Sequence, residues 1–172
     1  MKSIVVYESL WGNTAAVARA IAEGLGPGAR ALSTAEAAGP ALAGADLIVV
    51  GSPVIGFRAP SDKTLESIRA NPGAEPRPDL SQPSMAAWLH SLPRGKGHGA
   101  AFETGIWWSP GGAKGSIQRG LEQAGYVPIA KPKRFVVKGK KGPLREGELE
   151  RAHEWGAQLA KTLAEAGARP TP

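Results

Sequence analysis

The 172-residue sequence contains no cysteine, which excludes disulfide bonds, thiolate catalysis and cysteine-based metal sites. Its three histidines, His90, His98 and His153, are scattered along the chain without the spacing of metal ligands. No segment approaches the ~20 consecutive apolar residues that a membrane-spanning helix needs. The first residues show no signal-peptide pattern, so we expect a cytoplasmic protein without a membrane span.

Negative charge is the scarcer sign, because 21 Lys and Arg residues against 15 Asp and Glu residues leave a net charge of +6. Such a balance favours nucleic acid or an acidic protein as a partner. No helix-turn-helix, zinc finger or basic stripe with stacking aromatics is present, so we predict no nucleic-acid binding. Basic residues cluster late in the chain, at Lys131, Lys133, Arg134, Lys138, Lys140 and Lys141. We interpret the cluster as a solvated basic face, with a docking surface for an anionic partner as the alternative.

Short apolar strands alternate with amphipathic helices along the whole chain, which predicts an α/β protein with a doubly wound parallel sheet. The pattern indicates one domain over residues 1–166, followed by a tail at 167–172. Five strands are predicted, at residues 4–7, 29–33, 46–51, 98–103 and 126–138, the last interrupted by Pro128 and Pro132 and strongest at residues 135–137. Helices are predicted up to Leu25 and at residues 34–44, 62–70, 84–92, 113–124 and 145–166. The last helix has a predicted buried stripe of Leu149, Ala152, Gly156, Leu159 and Leu163.

The turn between the first strand and the first helix is rich in hydroxyl and amide groups and contains Gly12. Backbone N–H groups at a helix start are unpaired, and the helix dipole is positive there, so this turn could hold a phosphate without a Lys or Arg. The segment at residues 9–14, Ser-Leu-Trp-Gly-Asn-Thr, resembles the phosphate-binding loop of flavodoxins, roughly [ST]-x-[ST]-Gly-Asn-[ST]. Ser9, Gly12, Asn13 and Thr14 agree with that pattern, whereas Trp11 replaces a hydroxyl residue.

The resemblance to flavodoxins covers nearly the whole chain and implies a three-layer sandwich with a five-stranded sheet in the order 2-1-3-4-5. In such sheets a ligand binds beyond the carboxyl ends of the strands, where the loops after strands one, three and four meet. The predicted FMN-binding residues are Ser9, Leu10, Trp11, Gly12, Asn13 and Thr14 of loop one; Ser52, Pro53, Val54, Ile55, Gly56 and Phe57 of loop two; and Thr104, Gly105, Trp107, Trp108, Gly111 and Gly112 of loop three.

Each loop has an implied part in binding FMN. In loop one, backbone N–H groups and the hydroxyls of Ser9 and Thr14 would bind the phosphate, and Asn13 would bond its own turn or the phosphate. Loop two would border the isoalloxazine ring. An aromatic side chain of loop two or three would stack on the ring, and we expect one tryptophan of the pair at 107–108 to pack against the following helix instead. The Gly pair at 111–112 indicates a phosphate site or a close backbone approach.

The resemblance therefore predicts an FMN-binding flavodoxin-like protein that transfers electrons to a redox partner protein. The net positive charge of the chain favours an acidic protein as that partner. No catalytic residue is predicted, because the loops contain no organised His, Cys or Lys group. Two alternatives stay open. One is an FMN-dependent quinone or protoporphyrinogen-type oxidoreductase that uses the same loops. The other is a cofactor-free interaction module in which Trp11 and loop three fill the crevice.

Overall fold

Strand β1, Ser3–Tyr7, is buried along its whole length because helices cover both faces of the sheet around it. The computed structural model describes residues 1–167. Of the tail predicted at 167–172, Gly167 belongs to the last helix, and residues 168–172 lie outside the described residues. The other strands are β2 (Ala29–Ser33), β3 (Leu47–Pro53), β4 (His98–Gly105), β5 (Val127–Pro128) and β6 (Lys133–Val136). The helices are α1 (Asn13–Leu25), α2 (Gly39–Leu42), α3 (Asp62–Ala70), α4 (Met85–Ser91), α5 (Lys114–Gln123) and α6 (Glu148–Gly167). None of these helices is long and apolar enough to cross a membrane.

The sheet is parallel, and its order β2-β1-β3-β4-β5 confirms the predicted doubly wound arrangement. The fifth strand predicted at 126–138 is interrupted near its prolines as expected, but the two pieces are separate strands, β5 and β6. Residues 127–128 pair with the beginning of β4 at His98 and Gly99, whereas β6 pairs with its end, from Phe102 to Gly105. Proline has no N–H to donate to a ladder, and the segment with Pro128 and Pro132 therefore interrupts the strand.

Alternate residues of the strands supply two separate hydrophobic layers, as the two-residue period of a strand requires. Val5 and Val49 point toward α1 and α6, whereas Ile4 and Ile48 point toward the opposite layer with α4 and α5. This double coverage explains why β1 and β3 read as continuous apolar runs in the sequence.

Helix α6 contributes Ala152, Gly156, Leu159 and Leu163 to the core as predicted, but Leu149 is 43% exposed and does not belong to the buried stripe. Trp155 is buried instead. Its ring lies 6.5 Å from the ring of Phe102 and 6.0 Å from that of Phe135, measured between centroids. The helix also begins at Glu148, three residues later than predicted.

Two helical glycines allow α1 and α6 to approach closely. A Cβ placed on Gly24 would lie 2.0 Å from the His153 carbonyl oxygen, and one placed on Gly156 would lie 2.2 Å from the Ile21 carbonyl oxygen. Both obstacles are backbone atoms, which cannot rotate away. The two glycines are therefore required for this helix pair to pack at its observed separation.

We expect Gly156→Ala to lower the free energy of unfolding by roughly 1–3 kcal/mol, because the added methyl group overpacks the contact between α1 and α6. Urea denaturation followed by circular dichroism measures this change. Gly115→Ala in α5 is a matched control, since the nearest atom to its added Cβ would be Arg119 Nη1 at 3.8 Å. The control should be stabilised by about 0.5–1 kcal/mol. A loss of the same size in both variants would contradict the packing argument.

Candidate functional site

A cleft of about 310 Å³ lies at the carboxyl ends of β1, β3 and β4. All three predicted loops contribute to it, as expected from the position of ligand sites in doubly wound sheets. The predicted residues that line the cleft are Ser9, Leu10, Trp11, Asn13, Thr14, Pro53, Val54, Ile55, Gly56, Phe57, Thr104, Gly105 and Trp108. The walls are mostly apolar, and the lining residues with polar side-chain oxygen or nitrogen atoms include Ser9, Asn13 and Thr14 of loop one, Thr104 of β4, Ser109 of loop three and Lys140.

Five predicted site residues do not line the cleft: Gly12, Ser52, Trp107, Gly111 and Gly112. Ser52 is fully buried within β3, and its hydroxyl donates to the Pro53 carbonyl oxygen. Trp107 is 73% exposed. Ser52 and Pro53, which were assigned to loop two, belong to the end of β3. Thr104 and Gly105, which were assigned to loop three, belong to the end of β4.

Four lining residues were not predicted: Ile106, Ser109, Val137 and Lys140. Ile106 and Ser109 belong to loop three, and no sequence motif distinguishes them from the neighbouring residues of that loop. Val137 and Lys140 come from the connection between β6 and α6, which no motif links to the cleft. Only the folded chain brings that connection to the start of α1.

Loop one presents a row of unpaired backbone donors. The N–H groups of Trp11, Asn13, Thr14 and Ala15 have no acceptor among residues 1–167. The first three residues of α1 cannot donate within the helix, and Gly12 precedes them with a φ of 89° that favours glycine. The indole N–H of Trp11 is also buried without an acceptor in the described part of the chain. This donor set and the positive end of the helix dipole suit an anion.

The polar side chains of loop one make contacts within the protein. Ser9 Oγ accepts a hydrogen bond from the Gly12 N–H at 3.1 Å. The buried hydroxyls of Thr14 and Thr104 lie 2.8 Å apart and join loop one to the end of β4. Asn13 Nδ2 does not bond within its own turn as one predicted option had it; it donates to the Lys141 carbonyl oxygen at 3.0 Å. Loop one is thus held in shape by contacts on its inner side.

Loop two ends in a tight two-residue turn at the mouth of the cleft. Ile55 and Arg58 exchange backbone hydrogen bonds of 2.9 and 3.3 Å, while Gly56 and Phe57 have φ values of 57° and 67°. Two central residues with positive φ are typical of a type I′ turn. Phe57 is the one non-glycine residue with positive φ in the described chain, and its side chain is 60% exposed. The turn therefore carries backbone strain at the edge of the site.

A buried ion cluster holds loop three. The Glu103 carboxylate accepts hydrogen bonds from the N–H groups of Ala113 and Lys114 at the start of α5. It also pairs with Lys114 Nζ at 3.2 Å and with Arg134 Nε at 2.6 Å. Burial alone would raise the pKa of Glu103, but the Lys114 N–H and the Arg134 guanidinium outweigh burial and hold the pKa below its ordinary value.

The same guanidinium fixes the loop backbone. Arg134 Nη1 donates to the carbonyl oxygens of Ile106 and Ser109, and Nη2 donates to that of Gly111. Arg134 therefore does not belong to a solvated basic face, although its place in the lysine-rich segment had indicated one.

The two tryptophans of loop three do not pack on α5, since both side chains are more than half exposed. This corrects the expectation that one of the pair would do so.

The Gly111–Gly112 pair is a place of close backbone approach. The Gly112 N–H donates to the Phe57 carbonyl oxygen at 3.0 Å, which links loop three to loop two. A Cβ on Gly112 would lie 2.5 Å from Glu103 Oε2, and one on Gly111 would lie 2.9 Å from the Phe57 carbonyl oxygen. The pair accordingly allows loop three to pass between the strained turn and the buried carboxylate.

Glu8, at the end of β1, is a second buried carboxyl group next to loop one. Its Oε2 accepts the Met85 N–H at 2.8 Å, whereas Oε1 is buried without a partner in residues 1–167. Burial raises the pKa of Glu8 to about 8, the Met85 N–H opposes this shift, and the nearby Asp62 adds to it. Glu8 is therefore largely protonated near neutral pH, unlike Glu103.

Solved structures of flavodoxins are similar to this chain. A flavodoxin from the domain Archaea has 23% sequence identity and a TM-score of 0.66, with 95% of this chain and 99% of that chain covered. A flavodoxin, WrbA-like protein from Agrobacterium tumefaciens has 19% identity and a TM-score of 0.62, with 95% and 98% covered.

The flavodiiron core of Flv1 from Synechocystis sp. PCC6803 matches at 20% identity and a TM-score of 0.62. The match covers 96% of this chain but 36% of that protein, so the similarity there concerns one part of a longer chain. Neither the protein-family models nor the curated proteins give a match to the sequence. The strand order, the position of the cleft and the structural neighbours together establish that the chain has the flavodoxin-like fold.

Proposed function

We propose that the protein binds FMN in the cleft and transfers electrons through it. The observation that carries this proposal is the set of unpaired N–H groups at the start of α1, which adjoins a mostly apolar cleft. A phosphate needs donors and positive potential, whereas a flavin ring needs flat apolar walls. One continuous cleft offers both, at the edge where doubly wound sheets bind ligands.

The phosphate would bind at loop one. The N–H groups of Trp11, Asn13, Thr14 and Ala15 are the available backbone donors, and the buried indole N–H of Trp11 is a further one. Gly12 leaves the approach open, because no atom of the described residues other than its two chain neighbours lies within 4 Å of a Cβ placed there. The donor set of loop one thus fits the terminal group of FMN.

The isoalloxazine ring would bind between loops two and three, where Phe57 and Trp108 flank the mouth of the cleft. When bound, FMN supplies one- and two-electron redox chemistry. The chain's own residues would orient the ring and limit its contact with water. Val54 and Ile55 supply apolar wall, and the Thr14–Thr104 contact keeps loop one and β4 together at the base.

The cofactor-free alternative required Trp11 and loop three to fill the crevice. They line it instead, and the two tryptophans of loop three are exposed to solvent. We therefore favour the ligand-binding alternative.

For the electron-transfer partner we propose an acidic protein, since the chain carries a net charge of +6 and Phe57, Trp107 and Trp108 form an exposed aromatic rim beside the cleft.

Titration with FMN tests the proposal directly. The apoprotein should quench flavin fluorescence with a stoichiometry of one FMN per chain. The tryptophan emission of the protein should change with the same dependence on FMN concentration. A chain that leaves both signals unchanged at high micromolar FMN does not have the proposed function. Electron transfer is then tested by photoreducing the flavin complex and following its reoxidation by an acidic redox protein at low and high salt.

We expect Trp108→Ala to weaken FMN binding by about tenfold, because stacking of an aromatic side chain on a heterocyclic ring contributes roughly 1–3 kcal/mol. The affinity is measured by the same quenching titration. Trp107→Ala is the matched control, since Trp107 is the adjacent exposed tryptophan but does not line the cleft. The control should stay within twofold of the unmodified protein. Equal losses in the two variants would contradict the placement of the ring beside Trp108.

A further inference from the structure

The connection between β6 and α6 forms a hairpin that lies against the start of α1. Val137 and Leu144 form an antiparallel bridge, and the Lys138 N–H donates to the Pro143 carbonyl oxygen at 2.9 Å. We call residues 137–144 the lysine hairpin, because it carries Lys138, Lys140 and Lys141.

The lysine hairpin is fixed to loop one by Asn13. Asn13 Nδ2 donates to the Lys141 carbonyl oxygen, and a Cβ on Gly142 would lie 2.6 Å from the same nitrogen. Gly142 has a φ of 99°, so glycine is suited to this position on both conformational and steric grounds. The hairpin is therefore held at the loop-one end of the cleft.

The three lysines have different surroundings. Lys141 Nζ donates to the carbonyl oxygens of Ala74 and Pro76, which ties the hairpin to the segment between α3 and α4. Lys138 is exposed and does not line the cleft. Lys140 lines the cleft together with Ser9, Asn13 and Thr14, and its Nζ lies 5.9 Å from the centroid of the Trp11 ring. A cation over an indole face is held there by a favourable interaction.

Lys140 is also the one charged residue among the cleft-lining residues of the described chain. The donors of loop one are otherwise neutral N–H and hydroxyl groups. The Lys140 ammonium lies beside the ring of Trp11, a residue of the loop whose unpaired N–H groups would bind a phosphate.

We propose that Lys140 is a specificity-determining residue that binds the terminal phosphate of the ligand, so that the site selects a phosphorylated flavin over an unphosphorylated one. The proposal rests on the proposed function and adds to it a charged contact from outside the three predicted loops. A charge-assisted hydrogen bond to phosphate is stronger than a neutral one, although Lys140 is exposed and solvent screening reduces the effect of its charge.

The test compares FMN with riboflavin, which has the same ring and lacks the phosphate. Lys140→Gln should weaken FMN binding roughly three- to tenfold and leave riboflavin binding within twofold. The affinity of the unmodified protein for FMN should fall with added salt more steeply than that of the variant, because salt screens the lost charge pair. Lys140→Arg should restore most of the FMN affinity, since it keeps the positive charge over the Trp11 ring.

Lys138→Gln is the matched control, because it removes the same charge from the same hairpin outside the cleft. It should leave both affinities within twofold. Equal losses for FMN and riboflavin in Lys140→Gln, no loss for either, or an FMN loss as large in Lys138→Gln would overturn the inference while leaving FMN binding itself intact. If the unmodified protein binds no FMN, the proposed function fails, and this inference fails with it.

Discussion

Arg134→Ala is expected to lower the free energy of unfolding by about 3 kcal/mol and to release loop three. The substitution removes the guanidinium from the buried Glu103 carboxylate and from three loop carbonyl oxygens, of which only that of Ile106 keeps another donor in the described chain, the Ser109 N–H. Breaking a buried ion pair from one side costs roughly 3–5 kcal/mol, and the low end applies because Lys114 and two N–H groups still contact Glu103. Urea denaturation measures the stability, and limited proteolysis reports on loop three.

The matched control is Arg77→Ala, which also separates an arginine from a glutamate. The Arg77–Glu75 pair has side chains 69% and 75% exposed, so its loss should change stability by less than about 0.5 kcal/mol. Arg134→Lys should be intermediate, because a lysine keeps the charge but cannot reach all three carbonyl oxygens. If Arg134→Ala is as stable as the control and loop three is no more susceptible to protease, Arg134 does not hold that loop.

Glu8→Gln is expected to stabilise the protein at alkaline pH, by up to a few kcal/mol near pH 9 and little near pH 5. The pKa of Glu8 is raised to about 8 in the folded chain, compared with an ordinary value of 4.5. Between these values the folded state keeps a proton that the unfolded state loses. Stability therefore falls as pH rises from about 4.5 through about 8, with a limit of roughly 5 kcal/mol for a shift of this size.

Urea denaturation at several pH values between 5 and 9 measures the Glu8 effect. Glutamine keeps an oxygen that can accept the Met85 N–H and stays neutral throughout the range. Glu66→Gln, the same change at an exposed position of α3, is the control and should leave the pH profile of stability unchanged. Parallel profiles for Glu8→Gln and the unmodified protein would show that Glu8 does not titrate in this range.

The doubly wound parallel sheet could be predicted because it follows from local patterns along the chain, whereas its strand order and the meeting of the three loops were implied by the resemblance to flavodoxins. The continuous apolar run of β3 requires cover on both faces, and alternation with helices then leaves few topologies. The turn around Gly12 could be recognised because a strand, a small residue and an apolar helical stripe follow one another directly in the sequence. These signals lie within about twenty residues of each other.

The contributions of Arg134 and Lys140 could not be predicted, because both depend on contacts between distant parts of the chain. In the sequence each is one basic residue in a lysine-rich segment, and a solvated face is the usual state of such a segment. Their difference arises from register, since β6 pairs with β4 and directs Arg134 onto Glu103. Leu149 has the spacing of the buried stripe but lies in the first turn of α6 and is exposed, and the helical period alone does not determine where a helix begins or what covers its end.

The close crossing of α1 and α6 at Gly24 and Gly156 bears on how loop one would bind a ligand. The helix whose first turn carries the unpaired N–H groups packs against α6, closely at Gly24 and Gly156 and elsewhere through apolar side chains of both helices. Folding therefore orients those donors before any ligand binds, so the binding of an anion would not include the entropic cost of ordering them. The two glycines thus contribute to preorganisation of a site from which they are themselves remote.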